Sequence, residues 1–166
     1  VEGGLPAGRE IDQRRPLRSA ERDRVTVAPG DEPRAAHLPR PGHDAAVTAL
    51  ARFMAERLRA AGLRAITKPC PPRGEGLLAG VGPEEGGTLL LGHHDTVWPK
   101  GTLGEIPWGT KDGRATGPGV FDMKASHVIA LYAVRALRDL GALPDREIRM
   151  VFTSDEEVGS VTSRRL

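Results

Sequence analysis

The sequence has a single cysteine, Cys70, set between Pro69 and Pro71. No internal disulfide can brace such a chain, and oxidising export is not implied. Aromatic residues make up only 4%, too few for a platform on which bases could stack. An excess of one charge is also missing. The 24 basic and 22 acidic residues leave a net charge of +2, which gives little attraction for nucleic acid or an anionic membrane. No apolar run reaches the length that crosses a bilayer. The N-terminus, which starts at Val1, lacks the charged-then-apolar pattern of a secretory leader. A cytoplasmic protein without nucleic-acid or membrane partners is expected.

Residues 1–42 are crowded with Arg, Pro, Gly and acid and have almost no apolar periodicity. Such a composition buries too little surface to offset ordering entropy, so a disordered or non-native N-terminal segment is expected. Arg14, Arg15, Arg18, Arg22 and Arg24 are interleaved with Glu10, Asp12, Glu21 and Asp23, which argues for a solvated tail rather than a nucleic-acid arm. A domain is expected over 43–166. Val47, Leu50, Met54, Leu58 and Ala61 recur at helical spacing between Asp44, an N-cap candidate, and Gly62, a C-terminal stop. Short strands are expected at 64–67 and 77–81. Thr88-Leu89-Leu90-Leu91 is a continuous apolar run, the pattern of a strand buried on both faces. Lys111-Asp112-Gly113 suits a hairpin turn. Helix 124–140 is expected to bury Ala125, Val128, Ile129, Tyr132, Ala136, Leu137 and Leu140, and Ile148, Met150 and Phe152 mark a last strand over 147–153. Strands interleaved with helices predict an α/β domain, its sheet mixed or largely parallel and flanked by helices.

Two polar clusters follow strands. Gly92-His93-His94-Asp95 comes after 88–91, and Ser154-Asp155-Glu156-Glu157 after 147–153. Ligands in open α/β sheets bind beyond the carboxyl ends of the strands, so both clusters should share a rim. A third cluster, Phe121-Asp122-Met123-Lys124, joins a Gly-rich loop to a helix and can reach the same rim. His93, Asp122 and Glu157 then offer one imidazole and two carboxylates, a set that suits Zn²⁺ and, less selectively, Mn²⁺ or Co²⁺. Asp95, two residues from His93 along a strand, can orient its ring. Glu156 can accept a proton from an activated water. Taken singly, each motif has a plainer reading: Asp122 as a helix cap, Asp-Glu-Glu as a solvated turn, His94 turned away from the site and His127 as packing.

Three stretches, Leu91 to Val97, Gly117 to Lys124 and Thr153 to Ser160, resemble, in order and separation, the front motifs of the zinc-dependent aminoacylase, desuccinylase and glutamate carboxypeptidase family. The resemblance covers roughly residues 44–166 and implies a zinc-exopeptidase-like catalytic domain. It implies that His93 binds one metal, Glu157 the other and Asp122 bridges both, with Glu156 as general base and Asp95 orienting His93. The implied reaction is hydrolysis of an amide bond next to a free carboxylate, on a small peptide or N-acyl amino acid, with the glutamate carboxypeptidase branch favoured. Ala125-Ser126 stand where the family often has glycines. Family enzymes also have a further acidic ligand, a lid and dimerisation domain through which a homodimer forms, and a late His ligand. The sequence ends at Leu166, before these, so a partial, truncated catalytic domain is expected, weakly active or inactive by itself. The alternative is a non-catalytic remnant that retains part of the metal site.

Overall fold

The computed structural model describes residues 43–84 and 86–166. The expectation for 1–42 lies outside the described residues. Helix α1 runs over His43–Ala60 and buries Val47, Ala51, Met54, Ala55 and Leu58. His43 is already helical, so Asp44 lies in the first turn and not at the cap that the sequence suggested. Its end is as expected. Gly62 takes φ 81°, and the amides of Gly62 and Leu63 return to the carbonyls of Arg59 and Leu58, the double bond that closes a helix on a left-handed glycine.

Strands β1 (Arg64–Pro69), β2 (Glu75–Val81), β3 (Gly87–His93) and β6 (Glu147–Thr153) form one sheet in the order β1-β2-β6-β3. β1 pairs antiparallel with β2, β2 antiparallel with β6, and β3 parallel with β6. The sheet is therefore mixed rather than largely parallel. Strands β4 (Gly109–Lys111) and β5 (Arg114–Thr116) make a separate hairpin. Its two turn residues, Asp112 and Gly113, both have positive φ, as a tight two-residue turn demands. Helix α2 spans Ala125–Asp139. Among the described residues no helix is long and apolar enough to cross a membrane.

The register shows which side of the sheet is covered. Ala65, Ala79, Met150 and Leu90 lie opposite one another and pack into the core with Met54, Leu58 and Val134. One residue along, Ile66, Leu78, Val151 and Leu91 form a second row. Alternation of side chains puts this row on the opposite face. There Ile66 is 52% and Leu91 67% exposed.

Two expectations need correction. β3 is not buried on both faces: Leu89 and Leu91 are exposed, because β3 is an edge of the sheet among the described residues. The apolar run signalled strand but not burial. The expected face of α2 is also wrong in part. His127 and Val134 are its buried residues, with Ala130, Leu131 and Leu137 packed against the core. Val128, Ile129, Tyr132 and Leu140 are exposed. This helix is apolar on two sides, and periodicity alone does not say which side meets the sheet.

Candidate metal centre

Parallel pairing of β3 with β6 sets His93 opposite Thr153, and the His94 amide donates to the Thr153 carbonyl at 3.0 Å. The two polar clusters therefore leave the same rim side by side. Asp122 arrives from the third stretch. Gly119, at φ 69°, turns the chain into an irregular bend over Val120–Lys124, closed by the Lys124 amide donating to the Gly119 carbonyl at 2.9 Å. The Asp122–Met123 peptide bond is cis. Met123 reaches back to the rim, with its Sδ 3.3 Å from the His93 amide.

One donor atom each from His93, Asp122 and Glu157 lies within 4.8 Å of the others. His93 Nε2 is 2.9 Å from Asp122 Oδ1 and 3.9 Å from Glu156 Oε2. On the other side of the ring, Nδ1 is 3.4 Å from Asp95 Oδ1, an ion-pair distance without an aligned hydrogen bond, and neither atom has another partner. Asp95 is buried, and its Oδ2 accepts the Glu157 amide at 3.0 Å. One carboxylate thus touches the imidazole and the backbone of the Glu-Glu turn.

The electrostatics follow from this crowding. Burial pulls the His93 imidazole down, but Asp95 and Asp122 outweigh it and raise its pKa to about 9. Glu157 is raised by burial first and then by the charges of Asp122, Asp95 and Glu156, against His93. Burial pushes Asp95 up, yet His93 and the amides of Glu157 and Glu156 bring it below its ordinary value. A cluster that holds protons because its carboxylates crowd one another is one that a divalent cation would relieve.

The other two histidines near the rim are spoken for by packing. His94 Nε2 is 2.8 Å from the Glu75 carbonyl. His127 meets Phe152 edge to face, with ring centroids 4.4 Å apart. Both are buried, and burial lowers each to about 4. The readings of His94 as turned aside and His127 as packing agree with this.

Two residues carry more than the sequence reading gave them. Asp155 is buried and accepts from the Thr162 amide at 2.7 Å, the Thr162 hydroxyl at 2.9 Å and the Ser163 hydroxyl. It ties the segment after Glu157 back to the rim. The available signal was its place between strand and Glu-Glu pair, with Ser and Thr a few residues on. Lys124, read only as the start of a helix, has a buried Nζ without a hydrogen-bond partner. Burial lowers its pKa against the opposing charges of Asp95, Glu157 and Asp122.

Residues 89–166 match the profile of Peptidase family M20/M25/M40. Over 78 residues, 47% of this chain, it is 37% identical to carboxypeptidase G2 of Pseudomonas sp. (strain RS-16), covering 19% of that protein. Over 131 residues, 75% of this chain, it is 35% identical to acetylornithine deacetylase of Pasteurella multocida (strain Pm70), covering 33% of that protein. The fold resembles human carnosine dipeptidase 1, with a TM-score of 0.64 and 23% identity, over 75% of this chain and 30% of that one. The chain thus spans a third or less of the lengths of these relatives. The segment 89–166, which carries all three motifs of the rim, is thus similar to peptidase family M20/M25/M40.

Proposed function

We propose that this segment supplies the front half of a two-metal amidohydrolase site, with Zn²⁺ as the metal and Mn²⁺ or Co²⁺ able to replace it. The observation that carries the reading is the convergence of His93, Asp122 and Glu157 from three separate stretches to within 4.8 Å. One imidazole and two carboxylates fit such ions, and the raised Glu157 marks a place where positive charge is wanted. His93 and Glu157 would each hold one ion, and Asp122 would bridge them. When bound, the ion pair supplies Lewis acidity and lowers the pKa of a water. Glu156 would accept the proton of a water held there; its side chain is half exposed and lies beside His93. Asp95 holds the His93 ring from behind, and its bond to the Glu157 amide keeps ring and turn in register.

Within this reading the substrate is a small peptide or N-acyl amino acid cleaved next to its free carboxylate. A carboxypeptidase and an acetylornithine deacetylase among the relatives support that class. The glutamate-releasing branch is the narrower proposal, supported by the likeness to carboxypeptidase G2.

The test joins a Co²⁺ titration, followed by visible absorption, with an assay of amino-acid release from N-acyl glutamate and N-acetylornithine. The cobalt band should vanish in His93→Ala. In a chain carrying the remaining ligands, Glu156→Gln should cut turnover by about a hundredfold or more while metal stays bound, because glutamine keeps the shape but accepts no proton. A cobalt band that survives His93→Ala, or turnover that survives Glu156→Gln, overturns the assignment.

A further inference from the structure

The three donors come from separate stretches, and the stretches need ties to one another. His93 and Glu157 are tied by the pairing of β3 with β6 and by the Asp95 carboxylate on the Glu157 amide. Asp122 depends on other contacts. Its side chain is exposed. The backbone bonds around it run from the Val120 amide to Gly117 at 3.1 Å, from the Lys124 amide to Gly119 at 2.9 Å, and from the Ala125 amide to Met123 and Val120. All of these close within residues 117–125, so they set the shape of the bend and not its place against β3. The contact of His93 Nε2 with Asp122 Oδ1 joins two donors, and an ion held by both would replace it.

Met123 makes a contact that an ion would leave intact. The His94 amide faces β6, where it donates to the Thr153 carbonyl at 3.0 Å. Successive amides of a strand face opposite edges, so the His93 amide faces the edge of β3 that carries no strand among the described residues. There it donates to Met123 Sδ at 3.3 Å, which gives a donor on a buried residue an acceptor. The half-buried Met123 side chain is also seated on Gly92. A Cβ on Gly92 would stand 2.8 Å from Met123 Cε, 3.1 Å from Sδ and 3.1 Å from Phe152 Cδ1. Gly92 is not among the glycines with positive φ, so here glycine supplies room and not a turn.

We propose that Met123 is a positioning residue of the metal site, whose thioether latches the bend that carries Asp122 to the strand that carries His93. The proposal rests on the metal-site reading above and adds a residue that is not a ligand. The latch joins the two stretches at the His93 amide on one side and one residue past Asp122 on the other. Without it the bend keeps its local bonds but loses its seat on β3, and Asp122 no longer stands at a fixed distance from His93.

The experiment uses the whole chain and compares wild type, Met123→Leu and Met123→Ala. Zinc affinity is measured by calorimetry, stability by thermal melting without metal, and the His93 amide by hydrogen exchange in the metal-free protein. Met123→Ala empties the seat and should bind Zn²⁺ about tenfold to a hundredfold more weakly, the usual loss when a partner behind the ligands is removed. Met123→Leu keeps the apolar bulk and should melt close to wild type. Leucine has no acceptor for the His93 amide, so that amide should exchange about tenfold faster, and zinc affinity should fall about threefold. Should Met123→Ala fail to fold, Met123→Leu carries the test. A methionine that only fills space would leave Met123→Leu equal to wild type in zinc affinity and in His93 exchange, and that result overturns the proposal. Unchanged zinc affinity in Met123→Ala overturns it as well. Absence of any His93-dependent zinc binding in wild type would instead overturn the metal-site reading, and exchange at the His93 amide would then still decide whether the latch exists.

Discussion

At the scale of residues, the site is a balance between burial and charge. Asp155 shows how much rests on a group that is not a ligand. It is enclosed and accepts three hydrogen bonds from Thr162 and Ser163. Asp155→Ala leaves those donors without an acceptor and should cost about 3 kcal/mol, measurable by urea unfolding; a loss below the error of that measurement would remove Asp155 from the account. The histidines give a pH signature for the metal-free protein. In the unfolded chain an imidazole titrates near 6.5, whereas folded His94 and His127 resist protonation down to about 4. Between these values the unfolded chain binds more protons, so stability falls as the pH drops below about 6.5. His93 acts in the opposite sense. Its folded pKa of about 9 means that its contribution is complete below about 6.5 and is lost as the pH rises through 9. Thermal melts across pH should therefore peak near 6.5, and a curve that climbs steadily to pH 9 contradicts this arrangement.

At the scale of elements, two of three motifs that are far apart in sequence meet because β3 and β6 run parallel and side by side, and the bend over Val120–Lys124 brings Asp122 to them. This much was legible in advance. Each motif follows a strand or opens a helix, and strand ends in such sheets share a rim. The reading failed where two apolar surfaces compete. Leu90 enters the core while Leu89 and Leu91 do not, yet all three are leucines in one run. Val134 is buried while Val128 is exposed on the same helix. Only tertiary pairing decides between such neighbours, through register in the strand and rotation in the helix. The buried Nζ of Lys124 and the bonds of Asp155 were hidden for another reason: a lysine at a helix start and an aspartate in a turn have ordinary local explanations, and burial is decided by tertiary packing. The exposed apolar side chains give a further prediction. Leu91→Lys with Ile129→Glu should reduce light scattering of concentrated protein and leave the melting temperature nearly unchanged, since both positions are exposed. A large fall in melting temperature would mean that these residues belong to the core.

At the scale of the whole molecule, the described residues make a sheet with one face packed on two helices and the other holding an apolar row from Ile66 to Leu91. They also give one cluster of metal donors, with three residues. On the proposed reading, two ions sharing these three donors would have two protein ligands each. Zinc sites use about three or four. Binding by this chain should therefore be specific to the cluster yet weak. The most direct measurement is a calorimetric titration of the 166-residue chain with Zn²⁺, repeated on His93→Ala and run beside an assay on N-acyl glutamate. The account predicts weak binding that His93→Ala abolishes, with little or no release of glutamate. Tight binding of two ions with ordinary turnover, or zinc binding indifferent to His93, would contradict it.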